Sequence, residues 1–136
     1  MSIKKMYDVV VIGSGPGGLA AAIDAKKAGA EDVLVVERDV EVGGILLQCI
    51  HNGFGLQTFK EDLPGPEYAQ RFINEAKSLG ITFLLDTMVM DVTPTRKLYL
   101  SSRNFGYMEV DARAIVLAMG CRERTRPQVR IPGYRP

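Results

Sequence analysis

Several features that would announce a chemistry are scarce in this chain. Its 136 residues hold two cysteines and one histidine. Two cysteines can neither staple a disulfide-rich scaffold nor fill a four-cysteine zinc site. One histidine leaves metal hydrolysis built on a His cluster without its ligands, so no metal site is expected. Neither sign of charge dominates: 17 Lys+Arg face 16 Asp+Glu, a net charge of +1. That excludes a general affinity for nucleic acid or other polyanions. No apolar run approaches the roughly 18 residues that a membrane span needs. The opening MSIKKMYDVVVIG is no signal peptide, because its short apolar run passes straight into glycines; a cytoplasmic location is the expectation. Repeats, low-complexity tracts and Gly/Ser linkers are absent. What remains is 46% apolar and 24% charged in 14.9 kDa, which suits one domain with a real core and is too short for two full-size domains.

The apolar pattern sorts most of the chain into elements. Tyr7–Ile12 is a continuous apolar run rich in valine and reads as a buried strand. Gly13–Gly18 is glycine-rich, Leu19–Ala28 is alanine-rich and helical, and Gly29 is its stop. Asp32–Glu37 reads as a second buried strand, so strand, helix and strand fit one βαβ unit. A short helix is expected after Gly44, followed by an irregular loop of the length that usually carries function. Pro66–Leu79 predicts an amphipathic helix with Tyr68, Ala69, Phe72, Ile73, Ala76 and Leu79 on one face. Ile81–Leu85 is a third strand. Met88–Val92, Lys97–Ser101 and Gly106–Asp111 are short and β-leaning, which predicts a small antiparallel meander. Ala112–Ala118 reads as a further buried strand ending at Gly120. The expected fold class is therefore α/β: a Rossmann-like parallel sheet with flanking helices plus the meander.

The chemistry gathers at Gly13-Ser14-Gly15-Pro16-Gly17-Gly18. A lone GxGxxG is a weak signal, but this one joins a strand to a helix and is followed by an acid at Glu37, which ends the second strand. That combination is the dinucleotide fingerprint. Gly13 permits the tight turn, Gly15 lets the backbone approach a pyrophosphate, and Gly18 allows close helix packing, helped by Ala22. The helix N-terminus adds free N–H groups and a positive dipole end. Glu37 can accept hydrogen bonds from an adenosine ribose, and an acid there favours FAD or NAD over NADP. A glycine turn without a ligand is the alternative.

With Gly43-Gly44 after Glu37, Ile115-Val116-Leu117-Ala118-Met119-Gly120 closing the last strand, and Ile131-Pro132-Gly133 beyond it, the chain resembles the flavoproteins with two dinucleotide-binding domains, the pyridine nucleotide–disulfide oxidoreductases. Met119 stands where the family usually has threonine. The stretches Gln48–Gly55 and Cys121–Arg124 resemble, more narrowly, the FAD-dependent oxidoreductases related to opine oxidase and hydrogen cyanide synthase subunits. The resemblance implies FAD as cofactor and NAD(P)H as co-substrate. It implies a pyrophosphate loop of Gly13, Ser14, Gly15, Pro16, Gly17 and Gly18. It also implies Glu37 on the ribose, Arg38 beside the adenine, Gly43 and Gly44 where the backbone meets the cofactor, Val89 touching the adenine through its backbone, and Ala118, Met119 and Gly120 along the other side of the pyrophosphate. The family's NAD(P)H-binding domain and its later Gly-Asp motif do not occur in the sequence. Residues 1–136 are therefore expected to be the N-terminal portion of an FAD-binding domain, and inactive alone.

The family's disulfide reductases carry a redox cysteine pair shortly after the Gly-Gly; the corresponding positions here are Leu46 and His51, so paired-cysteine chemistry is not expected. His51 is left as a candidate proton donor, or as a residue that orders its loop. Cys49 is a candidate reactive thiol, or a small packing residue. Arg122, Arg124, Arg126, Arg130 and Arg135 gather positive charge in the last sixteen residues, as a docking or phosphate-contacting surface or as a solvated tail. A partner oxidoreductase subunit is a further expectation from the narrower resemblance. Two other readings stay open: a non-catalytic dinucleotide- or ADP-binding module, and an NAD-dependent enzyme with a single dinucleotide domain. Gly43-Gly44 and the meander argue against the last.

Overall fold

The computed structural model describes residues 3–121 together with Arg124, Gln128 and Arg130. Along the chain come β1 (Met6–Ile12), α1 (Pro16–Lys27), β2 (Val33–Val36), a 3-10 turn (Gly44–Gln48), α2 (Gly65–Ser78), β3 (Thr82–Leu84), β4 (Thr87–Val92), β5 (Lys97–Ser102) and β6 (Gly106–Leu117). The six strands form one mixed sheet in the order β3-β2-β1-β6-β5-β4. β3, β2, β1 and β6 run parallel, while β4 and β5 are antiparallel to their neighbours.

Side chains of β1 and β2 alternate between two cores, as the pleat requires. Val11, Val33 and Val35 face the helices, where they pack with Leu19, Ala22 and Ile23 of α1 and Ala69, Ile73 and Ala76 of α2. Val10, Ile12, Leu34 and Val36 face the other way and meet Leu98, Leu100 and Val110 of the meander. β1 and β2 are therefore covered on both faces. That explains why they read as continuous valine and leucine runs rather than as alternating ones. Pro16 sits in the first turn of α1, where its missing N–H costs nothing.

Two expectations are corrected. Gly106–Asp111 and Ala112–Ala118 are not two strands but the single β6. Its first half pairs antiparallel with β5, its second half pairs parallel with β1, and Asp111 belongs to both ladders. A strand can change partner side without a break, so the change in sequence pattern marks a change of neighbour and not a turn. The second half of β6 is also less buried than its apolar content implies: only Ala112 is buried, and Leu117 is 64% exposed. Among the described residues no strand pairs with the other edge of that half.

The segment after the 3-10 turn is an irregular loop, and it is packed in place. Phe54 and Leu63 exchange backbone hydrogen bonds at 3.1 and 2.8 Å. Phe54 and Phe59 each lie against Tyr68 of α2, and Phe59 also meets Phe72. Arg71 lies over the Phe59 ring and pairs with both carboxylate oxygens of Glu61 at 3.0 and 2.6 Å. Aromatic contacts spread over 54–72 carry no simple period, which hides this cluster in the sequence.

Candidate functional site

In an open α/β sheet, ligands bind beyond the carboxyl ends of the strands where the strand order reverses. Here that point is the end of β1, flanked by β2 on one side and β6 on the other. Three loops meet there: 13–18 after β1, 37–44 after β2, and 118–120 after β6. Backbone bonds sew them together. Gly13 N–H donates to the Val36 carbonyl at 2.8 Å, Ala118 N–H to Ile12 at 2.8 Å, and Gly43 N–H to Ser14 at 3.1 Å.

The glycine loop owes its shape to close backbone approaches. A Cβ on Gly18 would overlap the carbonyl oxygen of Gly13 and would also press on the Ala118 side chain. A Cβ on Gly15 or Gly17 would meet nothing within 4 Å. The first turn of α1 therefore presents bare backbone. No side chain caps its N–H groups and no acid lies in that turn. Uncapped N–H groups at the positive end of a twelve-residue helix are a cradle for an anionic group.

Glu37 is the centre of the site. It is 7% exposed. Its Oε2 accepts the Ser14 N–H at 2.8 Å and the Ser14 hydroxyl at 2.6 Å, while its Oε1 accepts the Asp39 N–H at 3.0 Å. Burial alone pushes this carboxyl up. The bonds from the Ser14 hydroxyl and from the Asp39, Ser14 and Arg38 N–H groups more than offset that push and hold it below the ordinary glutamate value. Glu37 is thus a buried, ionised acceptor supported on every side. Its carbonyl receives the Thr87 N–H at 3.0 Å, which brings the start of β4 to the same corner.

Gly44 has a φ of +57°, and a Cβ there would lie 2.9 Å from the Gly15 Cα. Both facts demand glycine: the left-handed conformation and the contact with the glycine loop. The resemblance puts the Gly43-Gly44 pair where chain and cofactor approach. The structure gives a reason internal to the protein, since this turn must lie directly on Gly15.

The structure therefore brings together Gly13, Ser14, Gly15, Gly18, Glu37, Gly43, Gly44 and Ala118. Pro16 and Gly17 are exposed on the first turn of α1. Met119 and Gly120 are exposed beyond β6, and Arg38 is exposed beside Glu37. Val89 is half-buried on β4, opposite Leu100. Cys49 is half-buried and its thiol donates to the Ile45 carbonyl at 3.4 Å. Its own carbonyl accepts the Gly65 N–H at the start of α2, at 2.9 Å. Cys49 and Cys121 are both free thiols. His51 is exposed, with Nδ1 bonded to the Asn52 carbonyl at 2.8 Å and its ring 5.4 Å from that of Phe54. Leu46 is buried in the helix-side core. Arg124 and Arg130 are exposed. Arg122, Arg126, Arg135 and Ile131-Pro132-Gly133 lie outside the described residues. The bond from Ser14 to Glu37 is the feature that sequence reasoning misses, because nothing in their spacing announces a contact across 23 positions.

The sequence pattern of the pyridine nucleotide-disulphide oxidoreductases matches residues 7–135. The chain belongs to that family. Members of this oxidoreductase family are FAD-dependent and use a pyridine nucleotide as co-substrate. The chain is 28% identical over 136 residues to the thioredoxin reductase of Bacillus subtilis, covering 98% of this chain and 39% of that protein. It is 28% identical over 141 residues to one of the opine oxidase subunits of Agrobacterium tumefaciens, covering 97% of this chain and 27% of that protein. Its fold superposes on a solved thioredoxin reductase from Streptococcus pyogenes with a TM-score of 0.74 at 20% identity, over 90% of this chain and 38% of that one. The chain thus spans between a quarter and two fifths of the length of the thioredoxin reductases it matches. Among the described residues, no helix is long and apolar enough to cross a membrane.

Proposed function

We propose that this family member holds the ADP half of FAD and is the N-terminal portion of the FAD-binding domain of a flavin-dependent dehydrogenase. The observation that carries this is the joining of a bare α1 N-terminus to a buried, ionised Glu37 through Ser14. The α1 N–H groups take the pyrophosphate, and Glu37 takes a ribose hydroxyl. Val89 and Arg38 flank the adenine, and Ala118, Met119 and Gly120 border the far side of the pyrophosphate. Bound flavin supplies the redox chemistry, moving electrons between NAD(P)H or a small substrate and an acceptor. His51 is the proposed proton donor, with Nε2 free of any partner among the described residues; Cys49 is a second, thiol candidate. No step through a cysteine pair is part of this reading.

The NAD(P)H-binding domain and the later Gly-Asp motif lie outside these 136 residues on this reading, and a cytoplasmic location belongs to it. Likeness to a protein named as an oxidase subunit supports a second chain as partner. It also keeps in view a non-catalytic nucleotide-binding role within such an assembly. Calorimetric titration of the 136-residue protein with FAD and ADP tests the reading, together with an NADH oxidation assay. Binding of both ligands with comparable affinity and no turnover is expected. NADH oxidation at flavoenzyme rates, or no binding of either ligand, would overturn it.

A further inference from the structure

His51 is the single histidine of the chain and is exposed, yet its ring is held in place. It lies 5.4 Å from the Phe54 ring, tilted by 34°. Phe54 is itself fixed: it exchanges backbone hydrogen bonds with Leu63, and its ring lies 5.9 Å from that of Tyr68 on α2. Between His51 and Phe54, the Gly53 N–H donates to Asp62 Oδ1 at 2.8 Å. One more contact decides the chemistry. His51 Nδ1 stands 2.8 Å from the Asn52 backbone carbonyl oxygen. A carbonyl oxygen can only accept, so Nδ1 carries a proton and donates it. A neutral imidazole holds one N–H and one lone pair. The lone pair is therefore on Nε2, the nitrogen with no partner among the described residues.

We infer that His51 meets its ligand as an acceptor, through Nε2 alone, and that the group it serves is the O–H or N–H of a hydroxyl- or amine-bearing substrate. This rests on the proton-transfer role proposed for His51 and deepens it. In the transfer an N–H bond forms at Nε2 while the substrate's O–H or N–H bond breaks, and the electron pair stays on the substrate. The ring becomes a cation, and its Nδ1–H bond to the Asn52 carbonyl becomes charge-assisted and stronger. A proton that His51 then donates is the one it took at Nε2. Phe54 is a positioning residue that acts through His51: its ring holds the imidazole so that Nδ1, and not Nε2, faces the Asn52 carbonyl.

Nitrogen NMR of the isotope-labelled 136-residue chain reads this directly, because the chain has a single imidazole. At about pH 9 an imidazole is neutral, and the shifts of its two nitrogens give the ratio of the tautomers. Relative to the same chain in concentrated urea, the ratio of Nδ1–H to Nε2–H should rise by about two- to tenfold on folding. Phe54→Leu should lose about half of that rise or more, and Phe54→Tyr, which keeps the ring, should retain it. Phe54→Met serves if the leucine variant does not fold. Diethyl pyrocarbonate, which acylates an imidazole nitrogen bearing a lone pair, should modify folded wild type at Nε2. A ratio that does not rise on folding, or acylation at Nδ1, overturns the acceptor assignment while leaving nucleotide binding in place. A ratio unchanged in Phe54→Leu overturns the positioning role of Phe54. Failure of the chain to bind FAD or ADP overturns the nucleotide reading, and the use of Nε2 on a substrate with it, whatever tautomer is found.

Discussion

Replacing Glu37 by glutamine looks conservative and should not be. The two side chains share a shape, but both oxygens of Glu37 face backbone N–H donors, Ser14 at 2.8 Å and Asp39 at 3.0 Å. A glutamine must turn its NH2 group toward one of them, leaving that donor buried without an acceptor. An unsatisfied buried donor costs about 1–3 kcal/mol. The bonds that survive lose their ionised acceptor, about 1 kcal/mol each. Neutralising a buried group returns part of this, so Glu37→Gln should destabilise by about 2–4 kcal/mol. That is a large share of the roughly 5–15 kcal/mol typical of a domain, and corresponds to a fall in Tm of about 6–15 °C. Urea unfolding at pH 7 and pH 3 is the assay. The folded Glu37 carboxyl is held below its ordinary value of 4.5. Its stabilising contribution is therefore complete above that value and lost as pH falls through the lower, folded one. The gap between wild type and variant should narrow at pH 3. A variant within about 0.5 kcal/mol of wild type at pH 7, or a gap independent of pH, would refute the reasoning.

Two further outcomes follow from the packing. Gly44→Ala must adopt a φ of +57° and place its Cβ 2.9 Å from the Gly15 Cα. It should cost about 2–5 kcal/mol and weaken ADP binding by pushing the glycine loop aside; thermal unfolding and calorimetry report both, and an unchanged Tm would show that the turn does not lie on that loop. Leu19→Ala empties a fully buried position between α1 and the sheet. It should cost about 2–5 kcal/mol in chemical denaturation while leaving the ratio of FAD to ADP affinity as in wild type.

The βαβ unit is legible in the sequence because local signals agree there. The valine-rich runs of β1 and β2, the glycine loop, Pro16 at the start of α1 and the acid at Glu37 are each set by short-range physics, and they sit at the spacing of a single supersecondary unit. The meander is visible for the same reason, as short strands between turn residues. The unity of β6 is not visible, since a strand that exchanges β5 for β1 at Asp111 changes its burial pattern without changing its backbone. The aromatic cluster of Phe54, Phe59, Tyr68 and Phe72 is hidden as well, because its members come from a loop and a helix and share no period.

The amino-acid sequence by itself determined that this chain builds an α/β unit in which a glycine loop joins β1 to α1 and an acid follows β2. Glycine placement and apolar runs act over a few residues and leave little choice of local conformation. Only the tertiary structure decided what Ser14 and Gly44 do. Ser14 turns away from the loop surface to hold Glu37, and Gly44 is glycine because Gly15 lies against it. Both are contacts between residues more than twenty positions apart, formed when β1 and β2 pair side by side and their following loops are forced into one place.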